Sequence, residues 1–280
     1  MRIGRVQVEG ETFLARFEDS DAAVLLHKES DHPAADALRE ALSNDVDLMA
    51  AGRSVDRREY TLLSPVRNPT KYFGVGMNYR EHALEGGFEV PDKPIFFVKT
   101  PNVIIGPQDT IRVRTSTTAQ PDFEVELVIV IGHRVSGELS PASARDAILG
   151  YTVGNDVTAR DAQFSDGQWP RAKSYDTFGP LGPWIVTTDE FDPSSVRLWS
   201  TVSGDLMQDG NTSELVFGPE ELVSYLARAI TLEPGDLITT GTPSGVGFAR
   251  NPPRFLMDGD VVEVGVEGIG SIENTVRVTR

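Results

Sequence analysis

The sequence predicts an α+β, β-rich fold, and three observations carry that prediction. Short segments rich in Val, Ile, Phe and Thr recur along the chain with turn residues between them. The 26 glycines and 18 prolines among 280 residues exceed average usage, which favours turns over long helices. Few stretches carry a helical pattern. From the start, RIGRVQV and TFLARFE read as strands joined by a hairpin turn at Glu9-Gly10-Glu11. Ala34–Leu42 reads as a helix opened by His32-Pro33. Ser64-Pro65 and Asn68-Pro69 then punctuate the chain twice, so residues 1–68 are expected to form a small N-terminal domain and 69–280 a larger one. In the larger unit KYFGVGMN, IFFVKT, NVIIG, FEVELVIVIG, YTVGNDV, GPWIVTT, VRLWSTV, DLITTG and DVVEVGV read as strands. Helices are expected over Pro141–Leu149 and over Pro219–Ile230, the latter with proline in its first turn. Many short strands and few helices point to a sandwich or roll.

Composition removes several classes of function. The chain has no cysteine, so disulfides and thiolate metal sites are excluded. Against 26 Lys and Arg stand 42 Asp and Glu, a formal charge of −16 that repels phosphate backbones and argues against a nucleic-acid partner. The most continuous apolar run, Leu127–Ile131, is far short of the ~20 residues that span a bilayer. The N-terminal segment has no apolar stretch of signal-peptide length. A soluble cytoplasmic protein with no membrane partner is the expectation.

Three clusters can carry chemistry. In Phe123-Glu124-Val125-Glu126-Leu127 a strand turns Glu124 and Glu126 to the same side, about 6–7 Å apart at Cα. Two such anions need a cation or a proton; the alternative is an exposed sheet face with lysines opposite. Asp156, at the end of the strand YTVGN, either supplies a third oxygen ligand of a site suited to Mg²⁺ or Mn²⁺ or caps a turn into a short helix. If residues 79–85 are helical, His82 and Glu85 share a face at i, i+3. A carboxylate beside an imidazole orients the ring, as a general base requires; the alternative is an ordinary surface contact. Other signals fail: Gly74-Val75-Gly76 lacks the third glycine of a dinucleotide fingerprint, and the glycine-rich Gly241–Gly247 has no Walker lysine after it. Neither a Gly-x-Ser-x-Gly elbow nor a His-Glu-x-x-His helix occurs.

Taken in order, GMNYREHALEGG, PDFEVELVIVIG, GYTVGNDVTARDAQ, WPRAKSYDTFGPLGPWIV, MQDGNTSELVF and LEPGDLITTGTPSGVG resemble the fumarylacetoacetate hydrolase family, on its short bacterial branch, from about Tyr72 to Val278. That branch includes acylpyruvate hydrolases, 2-hydroxyhepta-2,4-diene-1,7-dioate isomerases and oxaloacetate decarboxylases. The resemblance implies a β-roll catalytic domain, usually a homodimer, behind a variable N-terminal domain. It implies that Glu124, Glu126 and Asp156 hold Mg²⁺, with Mn²⁺ as a substitute, and that His82 and Glu85 form a catalytic dyad. It further implies that Arg160, Gln163, Lys173 and Thr242 contact substrate, Lys173 also taking part in catalysis. The further aspartate ligand of the long fumarylacetoacetases has no equivalent here. Gly179, where some relatives carry a bulkier residue, is expected to bear on pocket size. The implied activity is Mg²⁺-dependent hydrolysis of a C–C bond in acylpyruvate-type 2,4-dioxo acids, a small anionic keto-acid substrate, in the catabolism of aromatic compounds. The alternatives are isomerisation or tautomerisation of 2-hydroxydienedioates, or oxaloacetate decarboxylation, on the same site. A catalytically inactive metal- or ligand-binding member is a further alternative. The loop EGGFEVPDKP, residues 85–94, is glycine- and proline-bearing and is expected to act as a lid.

Overall fold

A two-residue turn at Glu9-Gly10, both at positive φ (51° and 85°), joins strands β1 (Arg2–Val8) and β2 (Glu11–Phe17). Their register pairs Val8 with Glu11, the twist-matched hairpin that a glycine at the second turn position favours. The computed structural model describes residues 1–18 and 22–280. Next come β3 (Ala23–Lys28), α1 (Ala37–Ser43), β4 (Arg53–Val55), β5 (Thr61–Leu62), β6 (Tyr72–Gly76), α2 (Arg80–Glu85) and β7 (Ile95–Val98). They are followed by β8 (Ile104–Ile105), β9 (Ile111–Arg114), β10 (Pro121–Asp122), β11 (Val125–Ile131), α3 (Pro141–Asp146) and β12 (Ile148–Asn155). Then come β13 (Thr158–Ala159), α4 (Arg160–Asp166), α5 (Trp169–Ala172), β14 (Gly179–Thr187), β15 (Arg197–Val202) and β16 (Asp205–Asn211). The last are α6 (Pro219–Ala227), β17 (Leu237–Thr239), β18 (Val261–Val266) and β19 (Gly270–Thr279).

One large sheet runs β4-β3-β2-β1-β14-β12-β11-β17-β6-β7, and a second runs β16-β15-β18-β19-β9. Strand β11 is central and buried throughout, which is why its Leu127–Ile131 stretch reads as a continuous apolar run. Its odd residues Val125, Leu127, Ile129 and Ile131 share a core with Val262, Val264 and Ile272 of the second sheet. Its even residues Val128 and Val130 pack on the other face with Ile3, Leu14, Leu38 and Leu181. The N-terminal segment thus shares both hydrogen bonds and core with the rest: Ile3 pairs with Ile185 across β1 and β14.

Helix ends differ from the sequence expectation for local reasons. Helix α1 starts at Ala37 because the Asp36 carboxylate accepts from Arg39 N and caps it. Helix α3 stops at Asp146 because Ile148 and Leu149 enter β12, and α6 stops at Ala227. Strands β3, β4, β5, β9, β10, β13, β16 and β19 were not expected. Strand β19 turns Ile272, Asn274 and Val276 inward, and an inward Asn blurs the apolar alternation that would have marked it. Among the described residues, no helix is long and apolar enough to cross a membrane.

Candidate active site

The chain leaves the sheet just before β11, and that departure places the first carboxylate. Glu124 N donates to the side chain of Asn155 (3.0 Å) instead of to a strand, and Asp156 N donates to Glu124 O (2.9 Å). This crossing brings Glu124, at the mouth of β11, against Asp156, just past the end of β12. Glu126 lies two residues on, on the same face, and oxygens of Glu124, Glu126 and Asp156 all fall within 4.8 Å of one another. All three are buried, so the exposed-face alternative for Glu124 and Glu126 does not hold. Neither does the capping alternative for Asp156. The residue capping α4 is Ala159, and the Asp156 carboxylate instead takes Lys99 and Lys173.

The three acids are unequally compensated. Lys173 Nζ donates to Glu124 (2.8 Å), Asp156 (2.7 Å) and the Thr158 hydroxyl (2.8 Å), which uses all three of its protons. Arg160 donates through Nε to Asp122 (2.8 Å), through Nη1 to Gln163 (2.9 Å) and through Nη2 to Glu124 (2.6 Å). Burial alone would push Glu124 up; the charges of Lys173 and Arg160 outweigh it and bring it down to about 2. Glu126 has no cation partner among the described residues and accepts from Gly241 N (2.7 Å). Burial, then Asp156 and Glu124, push it well above the usual carboxylate range. A divalent cation among the three would reverse that. The donor set fits one: three anionic oxygen ligands, no nitrogen or sulfur, and one carboxylate left without its positive charge.

Helix α2 delivers the second group. Its i, i+3 spacing sets His82 Nδ1 3.2 Å from Glu85 Oε2. Glu85 is pinned in turn by Gly245 N (2.9 Å), where glycine takes φ +101°. The helix hangs from Asn78, whose buried amide bonds Phe217 N, Phe217 O and Thr240 O. With Nδ1–H given to Glu85, the imidazole keeps Nε2 as its free acceptor.

His82, Glu124, Glu126, Arg160, Gln163, Lys173 and Thr242 line one cavity of about 180 Å³; Glu85 and Asp156 stand behind its wall. Thr242 has its hydroxyl engaged, donating to Val125 O (2.8 Å) and accepting from Gln208 (2.7 Å). Phe88, from the loop expected to be a lid, reaches the cavity. Gly179 does not: a Cβ there would lie 2.6 Å from Val103, so its smallness serves β8–β14 packing and not pocket size.

Sequence reasoning missed Lys99, Asp122 and the aromatic wall. Lys99 is wholly buried on Asp156 and on Phe178 O (3.0 Å), and burial pulls its ammonium below the usual lysine range despite Asp156. Asp122 orients Arg160 while accepting from Gly247 N (2.7 Å) and Phe248 N (3.0 Å). Its only sequence signal was its place in PDFEVEL, and a lone lysine after IFFV gives none.

Residues 71–277 match the family model described as Fumarylacetoacetate (FAA) hydrolase C-terminal. The mitochondrial oxaloacetate tautomerase of Xenopus laevis is 43% identical over 225 residues, covering 79% of this chain and 70% of its own. The crystal structure of 5-carboxymethyl-2-hydroxymuconate delta-isomerase from Mycobacterium smegmatis superposes with a TM-score of 0.83 at 37% identity, covering 100% of both chains. Fumarylacetoacetate hydrolase from psychrophilic Exiguobacterium antarcticum gives 0.85 at 36% identity, again over 100% of both. A strand-rich fold shared end to end with these enzymes, and a family match across three quarters of the chain, establish that this protein is an enzyme of the fumarylacetoacetate hydrolase family.

Proposed function

We propose that the chain is a Mg²⁺-dependent hydrolase of acylpyruvate-type 2,4-dioxo acids. One observation carries the reading: the oriented His82 and the carboxylates Glu124 and Glu126 face the same cavity. Glu124, Glu126 and Asp156 would hold Mg²⁺, or Mn²⁺ in its place, which when bound supplies Lewis-acid stabilisation of charge on the keto-acid oxygens. Lys173 and Arg160 offset the charge of Glu124, Asp156 and Asp122, so that with the metal bound that end would accept an anion into an otherwise acidic protein. Gln163 holds Arg160 in place. His82 Nε2 takes a proton from water as the water oxygen bonds to the distal carbonyl carbon. The bond from that carbon to the neighbouring methylene breaks, the electron pair leaves on the methylene carbon, and a proton is taken up there. The products are a carboxylic acid and pyruvate.

The names of relatives favour a second reading, tautomerisation or isomerisation of a hydroxydienedioate or an oxo acid, in which His82 moves a proton on or off carbon. Oxaloacetate decarboxylation would need the metal end of the site alone. The intact set of His82, Glu85, Lys173 and the three acids weighs against an inactive binding member. A homodimeric, cytoplasmic enzyme with residues 1–68 as a small N-terminal domain belongs to the same proposal; the family match beginning at residue 71 supports that boundary. The test is a panel of acylpyruvates, oxaloacetate and hydroxydienedioates with Mg²⁺. Parallel loss of the diketone ultraviolet band and release of pyruvate is expected. Tautomerisation without pyruvate release would replace the hydrolytic reading by the second, and no turnover of any member would replace both by the binding one.

A further inference from the structure

The cavity that holds the acids also has a large aromatic wall. Besides Glu124, Glu126, Arg160, Lys173, His82, Gln163 and Thr242, its wall carries Met77, Phe88, Phe97, Phe164, Trp169 and Phe248. Phe97 and Trp169 meet edge to face at 5.9 Å, and Phe164 and Phe248 do so at 5.5 Å. Two cations link the acids to the rings: Lys173 lies 5.1 Å from the Phe97 ring centre, and the Arg160 guanidinium 4.5 Å from that of Phe248. The backbone is built to seat these rings. A Cβ on Gly74 would fall 2.1 Å from the Phe97 ring, and one on Gly76 would fall 2.2 Å from the Trp169 ring. Phe88 and Phe164 are exposed at 42% and 55%, and both exposed phenylalanines of the described chain border this one cavity. A bound apolar group would cover them.

No lining residue supplies charge for a second anion. Arg160 and Lys173 are the only Lys or Arg on the wall among the described residues, and both are tied to carboxylates at the metal end. His82 is neutral if it acts as a base. A carboxylate at the far end of a substrate would therefore leave water for aromatic carbon with no Lys or Arg to pair it. We infer that the site selects 2,4-dioxo acids whose acyl group is apolar and ring-bearing, and discriminates against those that carry a second carboxylate there. This rests on the acylpyruvate reading for the orientation of the substrate, with the dioxo acid at the acids and the acyl group on the rings.

A matched pair tests it: 4-phenyl-2,4-dioxobutanoate and its para-carboxyphenyl analogue. Both turnover and calorimetric binding are measured on the full chain in Mg²⁺. The phenyl compound is expected to exceed the carboxylated one by on the order of 10²-fold in kcat/KM and in affinity, since an unpaired carboxylate must be desolvated. Phe164→Arg, at an exposed position, is expected to recover at least ~10-fold for the carboxylated compound alone, by supplying the missing cation. Equal or better binding of the carboxylated compound by the natural chain overturns the inference. If the phenyl compound binds tighter but releases no pyruvate, the selectivity stands and the hydrolytic reading falls.

Discussion

Replacing Glu126 by glutamine separates two effects that an active-site mutation usually confounds. Glu126 accepts one backbone N–H, from Gly241, and lies with Glu124 and Asp156 inside a 4.8 Å cluster without a cation of its own. Two ionised carboxylates at that separation repel by roughly 3 kcal/mol at an effective dielectric of about 20, and since burial and its two acidic neighbours push the Glu126 carboxyl well above the usual range, the metal-free fold carries either that repulsion or the cost of taking up a proton. Lys99, Lys173 and Arg160 neutralise part of the charge on the other two acids, so a net penalty of about 1–2 kcal/mol in the metal-free protein is expected. Glutamine keeps the oxygen that Gly241 needs and removes the charge. In EDTA, Glu126→Gln should therefore melt higher than the natural chain, by about 2–4 °C for a protein of this size. Mg²⁺ at a hundred times its dissociation constant should add about 2.7 kcal/mol to the natural chain, near 5 °C, and nothing to the variant. Scanning calorimetry with EDTA or Mg²⁺ reads both signs. A variant that melts lower in EDTA, or that keeps the Mg²⁺-dependent rise, would refute the reasoning that Glu126 is an uncompensated ligand.

Three further outcomes are expected. His82→Ala should lower pyruvate release from an acylpyruvate on the order of 10²–10⁴-fold while sparing oxaloacetate decarboxylation; equal loss of both would give His82 a shared or structural role. Lys173→Met removes the cation that bridges Glu124 and Asp156. It should raise KM for anionic substrates and cost about 3–5 kcal/mol of stability; unchanged kinetics would take Lys173 out of the site. Glu29 is buried against Arg5, Arg67 and Ala37 N. Burial alone would push its carboxyl up, but Arg5, then Ala37 N–H and Arg67, hold it below the ordinary value of 4.5. A depressed carboxylate stabilises the fold above its unfolded value and loses that contribution as pH falls through the folded one. Glu29→Gln should thus lower Tm at pH 7 and flatten the fall in Tm below about pH 4.5. A parallel acid profile in the two proteins would remove Glu29 from that transition.

Much of the site was legible because its groups obey local periodicities. The two-residue repeat of a strand puts Glu124 and Glu126 on one face, and the i, i+3 spacing of α2 joins His82 to Glu85. The hairpin at Glu9-Gly10 was legible for the same reason, since its turn chemistry is contained in two residues. Strands such as β9 and β19 were not, because they are parallel partners distant in sequence and one carries an inward Asn.

What the sequence by itself determined is the repertoire: β-rich architecture, no thiolate chemistry, paired carboxylates on one strand face, an oriented histidine and the family to which they belong. Only the tertiary structure decided how those charges are balanced. Lys99 and Asp156, 57 positions apart, meet in a fully buried ion pair, and Phe97, Phe164, Trp169 and Phe248 from separate elements close round one cavity. Burial and charge compensation are sums over neighbours brought together by folding, and no local pattern in the chain encodes which neighbours those will be.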